Sequence, residues 1–217
     1  MTNLVVIDPI DATHEGPNVP LPGSGDEYQL LHLRQGDADG ACGPYCLFMA
    51  LMICGASRRD EITGPGQKLH GNSSLAKTFK LMQAHSAFFR HGTGLRDLVS
   101  LVNTTYRSKV TAVPCPERGV ALRSFIEEQI LENNPVIVGL DWGEATGHWV
   151  LVVGLEYLED GTLWRLLVLD PSAAPSKVCA WNSVIEANGS GGRHPYLWWN
   201  DEDVRVQFNE GMALVKV

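Results

Sequence analysis

The sequence predicts an α+β fold, with helices in its first half and an antiparallel β-sheet in its second. Three observations carry that reading. A ten-residue apolar run, Tyr45 to Cys54, follows Gly43-Pro44 directly. An amphipathic stretch from Arg118 to Asn133 ends at Asn133-Asn134-Pro135. After it the pattern changes to short apolar runs joined by a hairpin signal, Asp160-Gly161.

The elements follow in chain order. The opening stretch is rich in Pro, Gly and Asp (Asp8-Pro9, Pro17, Pro20, Pro22, Gly23, Gly25) and reads as an extended arm over 1–34, with the main domain spanning 35–217. The run from Pro44 to Cys54 is apolar all round, as expected of a helix central in the core. Pro44 suits its first turn, where a missing N–H costs nothing, and Gly55 ends it. The stretch 57–74 is polar and Gly-rich, and two helical segments are expected at Leu75–His85 and Leu95–Tyr106. In the helix Arg118–Asn133, Leu122, Phe125, Ile126, Gln129 and Ile130 share one face, and Glu127, Glu128 and Glu132 take the other. Strands are expected at Val136–Leu140, His148–Leu158, Leu163–Asp170 and Ala213–Val217. Trp149 to Val153 is apolar on both faces, as a strand covered on both sides would be. The aromatic group Tyr196-Leu197-Trp198-Trp199 reads either as packed core or as the lining of a groove, and Gly189–Gly192 with Arg193-His194 reads as a loop.

Composition removes several function classes. The 217 residues are 44% hydrophobic and 19% charged, which is a single globular domain's worth of sequence. Net charge is −8 with no Lys/Arg cluster, against the basic field of a nucleic-acid binder. The longest apolar run is about half of what a bilayer-spanning helix needs, and Met1 to Ile10 lacks the basic region of a signal peptide. A cytoplasmic protein without membrane or nucleic-acid partners is therefore expected, its oligomeric state open. Five cysteines (Cys42, Cys46, Cys54, Cys115, Cys179) form no disulfide framework. Cys42 and Cys46 stand four apart, but His85 with His91 lacks zinc-ligand spacing, so neither metal nor cofactor is expected. His14, His32 and His70 have no evident partners.

One thiol is placed differently from the rest. Cys42, in Gly40-Ala41-Cys42-Gly43-Pro44, stands at the start of the buried helix, whose positive end lowers the pKa of a thiol there. Its backbone N–H also stands where an oxyanion would form. Cys46 and Cys54 lie inside the helix as small core residues. His148 opens an apolar strand, with Gly143, Thr146 and Gly147 leaving a thin backbone beside it. Asp170 ends the next strand before Pro171-Ser172, either as the partner of His148 or as a cap of the turn at Pro171. A two-residue turn at Asp160-Gly161 would set position 148 opposite 173, leaving Asp170 roughly 10 Å along the strand; a three-residue loop at Leu158 to Asp160 would bring the pair face to face. Gln35, a few residues before the cysteine, has a carboxamide able to supply a second oxyanion donor.

The segment Gln35-Gly-Asp-Ala-Asp-Gly-Ala-Cys42-Gly43-Pro44-Tyr-Cys-Leu-Phe-Met-Ala-Leu resembles the Gln-to-Cys-Gly-Pro nucleophile helix of papain-like cysteine peptidases. The nearest resemblance is to their C39-like branch, the bacteriocin-leader peptidases and their stand-alone relatives. Gly147-His148-Trp149-Val-Leu-Val-Val-Gly154 and Val168-Leu169-Asp170-Pro171 resemble that branch's His and Asp-Pro strands, and the helix before Asn134-Pro135-Val136 fits as well. The resemblance covers 35–56 and 118–172. It departs from the family at Ala41, where an acidic residue is usual, and in a gap from Gln35 to Cys42 one residue longer. It implies a papain-like fold, with the nucleophile helix packed on the antiparallel sheet. It also implies Cys42 as nucleophile, His148 as base, Asp170 as orienting group and Gln35 as oxyanion donor. The implied reaction is hydrolysis of a peptide or amide bond in a protein or peptide substrate, by a free-standing enzyme. Deamidation or acyl transfer on a protein or peptidoglycan-type target, and a silent binding module, stay open beside it.

Overall fold

The structure, a computed structural model, describes residues 2–36, 40–64, 70–84, 92–143, 146–200 and 203–217. The chain opens with β1 (Asn3–Val6) and a small antiparallel sheet of β2 (Asp11–Thr13), β3 (Gly16–Pro20) and β4 (Tyr28–Leu30). The helices α1 (Cys42–Ile53), α2 (Arg59–Thr63), α3 (Ser74–Ala84) and α4 (Leu95–Thr105) follow. Then come β5 (Val110–Cys115) and α5 (Gly119–Leu131). The remainder is β6 (Val136–Gly143), β7 (Thr146–Tyr157), β8 (Leu163–Leu169), β9 (Ser183–Glu186), β10 (Tyr196–Trp199) and β11 (Asp203–Lys216).

The large sheet closes on itself. Neighbours run β7-β6-β11-β10-β9-β8, and β8 returns to β7, so six antiparallel strands form a ring. The antiparallel sheet expected from the sequence is present, and it is closed into a barrel. Two strands lie outside the ring: β1 beside the second half of β7, and β5 beside the end of β11. Closure suits a sheet this apolar, because it leaves few unpaired edges. Val136–Val138 and Val150–Val153 have no exposed surface, since helices cover one side and the ring interior the other. α1 packs on β7 and β6, and α5 packs on β11 and β7.

α1 follows from its composition. Apart from Tyr45, its residues from Cys42 to Ile53 are all buried. A helix this apolar gains its stability from burial and not from an amphipathic face. Each large side chain removed from water there contributes about 1.5–3 kcal/mol.

Element edges match the expected ones closely where a breaker marks them. α1 starts two residues before Pro44, α4 ends one residue before the expected stop, and α5 ends just before Asn133, which has a left-handed φ of 63°. Other readings change. The last strand begins at Asp203 and not at Ala213. The aromatic group is β10, with Tyr196 and Trp198 in the core and Trp199 40% exposed. The segment 1–34, expected as an extended arm, is extended but built into the fold. β1 is a sheet strand, and Ile7, Val19 and Leu31 are fully buried in the common core. Positions 65–69 and 85–91, with His85 and His91, lie outside the described residues. Among the described residues no helix is long and apolar enough to cross a membrane.

Candidate active site

Cys42 is the first residue of α1 and 7% exposed. Ala41 before it offers no side-chain cap. The Cys42 sulfur instead receives the Gly43 N–H, together with the Trp149 N–H at 3.4 Å. This packing favours a glycine at 43, where a Cβ would lie 3.0 Å from Thr93 Oγ1 and 3.1 Å from the Trp149 ring. Trp149 fixes the same corner from the other side, its indole N–H donating to Thr93 O at 2.7 Å.

His148, one residue before Trp149, makes a hydrogen bond to the Cys42 sulfur. Its Nε2 lies 2.7 Å from Asp170 Oδ1. A carboxylate only accepts, so Nε2 carries a proton and Nδ1 is left for the sulfur. The imidazole stacks on Trp198, with centroids 5.5 Å apart and planes 23° apart, and the Trp142 ring is tilted against Trp198 at 5.8 Å.

Asp170 is fully buried, and its neighbours account for every charge-bearing atom. The carboxylate receives His148, the Ser172 N–H at 2.8 Å and the Ser172 hydroxyl at 2.8 and 2.9 Å. The Asn182 carboxamide grips the backbone of the same residue. Asn182 Oδ1 accepts the Asp170 N–H at 2.7 Å, and its Nδ2 donates to Asp170 O at 2.9 Å. The same carbonyl receives His32 Nε2 at 2.9 Å.

The strand register explains how His148 and Asp170 meet. The β7–β8 turn and two irregularities, at Val152/Gly154 and Glu156/Tyr157, bring Leu151 opposite Leu169. Continuing that register sets residue 148 opposite 172, so neither sequence-based alternative holds. Asp170 is then a diagonal neighbour two residues away on the same face, which long side chains span.

These contacts set the protonation states. Burial alone would push the Cys42 thiol up, but the hydrogen bond and charge of His148, with the two backbone N–H groups, bring it below the ordinary thiol value. Burial would lower His148; Asp170 and Cys42 outweigh it and raise the imidazole to about 9. Burial would raise Asp170, and His148 with Ser172 holds it below the ordinary carboxylate range instead. Both shifts run toward a thiolate–imidazolium pair. Three buried thiols go the opposite way. Burial pushes Cys46 well up and Cys54 to about 12, and burial with Glu117 brings Cys115 to about 11. Cys46 donates its S–H to Trp149 O at 3.3 Å.

Gln35 lines the same cleft of about 560 Å³ as Cys42 and His148. Its N–H donates to Pro171 O at 2.8 Å, and its Oε1 is buried with no hydrogen-bond partner among the described residues. Three of the four residues singled out in the sequence, Gln35, Cys42 and His148, thus line one cleft, and Asp170 is buried and hydrogen-bonded to His148. Sequence reasoning left His32 without a partner, left Trp198 between core and groove, gave Ser172 no role and missed Asn182, since nothing local marks the contacts that His32, Asn182 and Trp198 make through the fold. Among the described residues no group of His, Cys, Asp or Glu is arranged to hold a metal ion.

No family model matches the chain, and no curated protein matches it. A solved structure similar to it is described as the crystal structure of UfSP from C. elegans, with 13% sequence identity and a TM-score of 0.46. The match covers 99% of this chain and 34% of that one, so this chain spans about a third of that chain's length. The site's own contacts carry the chemistry that follows.

Proposed function

We propose that this chain is a thiol hydrolase of the papain-like type, cleaving a peptide or amide bond in a protein or peptide substrate. One observation carries the reading. The Cys42 sulfur, at a helix N-terminus, is hydrogen-bonded to an imidazole whose other nitrogen lies 2.7 Å from a buried carboxylate. The sequence segments around Cys42, His148 and Asp170 support the narrower reading, a stand-alone member of the C39-like branch. Five free thiols suit a reducing compartment such as the cytoplasm. In this reading 35–217 is the catalytic domain, and 1–34 completes it.

The Cys42 thiolate attacks the carbonyl carbon, the C–S bond forms, and the carbonyl electron pair moves onto oxygen. The Cys42 backbone N–H and the Gln35 carboxamide receive that oxyanion. The C–N bond then breaks as the His148 imidazolium gives its proton to the leaving nitrogen, which leaves a thioester. Water, deprotonated by His148, attacks the thioester; the acid departs and the thiolate is restored. Asp170 holds the imidazole in the required tautomer throughout. Release of ammonia from a side-chain amide, or capture of the thioester by an amine, would use the same steps.

Iodoacetamide labelling from about pH 4 to about pH 9, resolved by cysteine with mass spectrometry, tests the pair. Cys42 should label fastest well below the ordinary thiol pKa, and His148→Ala should abolish that low-pH reactivity. A Cys42 no faster than a free thiol would sink the reading.

A further inference from the structure

We infer that Glu210 forms a subsite of the cleft that binds a positively charged substrate side chain, lysine or arginine, close to the bond held at Cys42. The inference rests on the reading of Cys42 as nucleophile.

Glu210 and Cys42 line one cleft and are joined by a short row across the barrel. Glu210 is opposite Gly139 on β6, Gly139 is opposite Trp149 on β7, and the Trp149 N–H holds the Cys42 sulfur. Directly opposed residues share a face, so Glu210 and Trp149 are on the same side of the sheet. The glycine between them makes room for the Trp149 ring; a Cβ at 139 would meet Glu210 O and the Trp149 ring at 3.4 Å. Two inter-strand steps make the row about 10 Å long. The four-carbon stem of lysine reaches roughly 6 Å from its Cα. A residue one or two positions from the attacked carbonyl therefore spans the remaining distance.

The carboxylate is aimed and held. A register shift between Phe208 and Glu210 interrupts β11, and Asn209 and Glu210 both line the cleft. A regular strand would turn one of two consecutive side chains away; a bulge re-aims it. Glu210 Oε1 accepts the Leu95 N–H at 3.1 Å, which anchors one oxygen at the start of α4. That helix start has a further cap, Asp97 accepting the Gly94 N–H at 3.0 Å. The second oxygen of Glu210 has no hydrogen bond or ion pair with the described residues. No lysine or arginine is among the described lining residues. The Glu210 carboxylate, in a cleft backed by Asp170, therefore favours a cation.

The test uses tripeptide chloromethyl ketones built on alanine, with one lysine moved through the three positions and norleucine or glutamate as controls. The rate of Cys42 alkylation is read by mass spectrometry and divided by the iodoacetamide rate of the same protein. Lysine at one position should exceed norleucine about tenfold, the worth of a partly buried charge-assisted hydrogen bond. Glutamate there should be slower still. Glu210→Gln keeps an acceptor for Leu95 and should bring lysine and norleucine level. Fast iodoacetamide labelling without lysine preference at any position, or a preference that survives Glu210→Gln, overturns the subsite and leaves the nucleophile reading standing. A Cys42 inert to both reagent classes overturns both.

Discussion

The proton on His148 is held by two partners with different roles, and their order decides what the site does with pH. The ordinary imidazole value is 6.5, and the folded value is about 9. The native state thus binds this proton more tightly than the unfolded chain does. Stability from it is complete below pH 6.5 and fades as pH rises through about 9. Asp170 runs the other way. Its pKa is held below the ordinary 3.8, so its share is present above that value and fades as pH falls through the depressed one. Removing the charge with Asp170→Asn should bring the upper limb of Cys42 acylation down toward the ordinary imidazole range and slow acylation by about 10²–10⁴. Asn182→Ala should move the limb in the same direction but less, because it frees only the backbone of Asp170. A pH–rate profile of thioester formation from a peptidyl amide, read by mass spectrometry, checks both, and an unmoved limb in Asp170→Asn would break the assigned roles. Cys42, His148 and Asp170 were legible in the sequence because a helix start, a strand start and a strand end each carry a local mark. His32 and Asn182 carried none, since they meet Asp170 only through the fold; His32 is 138 residues away in sequence.

At the level of elements, the close pairing of β1 with β7 depends on a missing side chain. A Cβ on Gly154 would lie 2.5 Å from Val5 O and 3.0 Å from a Leu167 methyl. Gly154 is also where the β7–β8 register shifts, so its backbone serves two neighbours at once. Gly154→Ala must push β1 off the sheet edge or distort the register that brings His148 to Asp170. Overpacking of this kind costs about 1–3 kcal/mol, and a melting temperature lower by roughly 2–4 °C for each of those kcal/mol is expected. An unchanged melting curve would mean that β1 is not held there. The same elements show what the sequence could reveal. α1 and α5 were legible because Pro44, Gly55 and Asn133-Asn134-Pro135 mark their ends, and β6–β8 because they are long and apolar. β9 and β10 have four residues each and alternate buried with partly covered positions only once they are paired. Ring closure through them therefore left no periodic signal.

For the whole molecule, the question is whether 1–34 is an appendage or part of the catalytic unit. Composition suggested an appendage, because Pro and Gly mark chain that does not continue a helix or strand. Such chain can still pack, and here it does so at three levels. β1 adds to the barrel beside β7, and the side chains of Asp8 and Asn133 are joined at 2.9 Å across the end of α5. Ile7, Val19 and Leu31 have no exposed surface. At the boundary, His32 Nε2 lies 2.9 Å from Asp170 O, and the Gln35 N–H donates to Pro171 O at 2.8 Å. At about 1.5–3 kcal/mol for each fully buried aliphatic side chain, those three contribute roughly 5–9 kcal/mol. A typical domain has a net stability of about 5–15 kcal/mol. Deleting residues 2–34 should therefore unfold or aggregate the protein, and deleting residues 2–6 alone should lower the urea midpoint with Cys42 labelling retained. A removable inhibitory arm would behave in the opposite way, leaving a folded protein with faster Cys42 labelling. Circular dichroism with the labelling assay on both truncations separates the two. The buried contacts favour loss of fold, because the segment supports Asp170 from behind through His32 and does not merely cover the cleft.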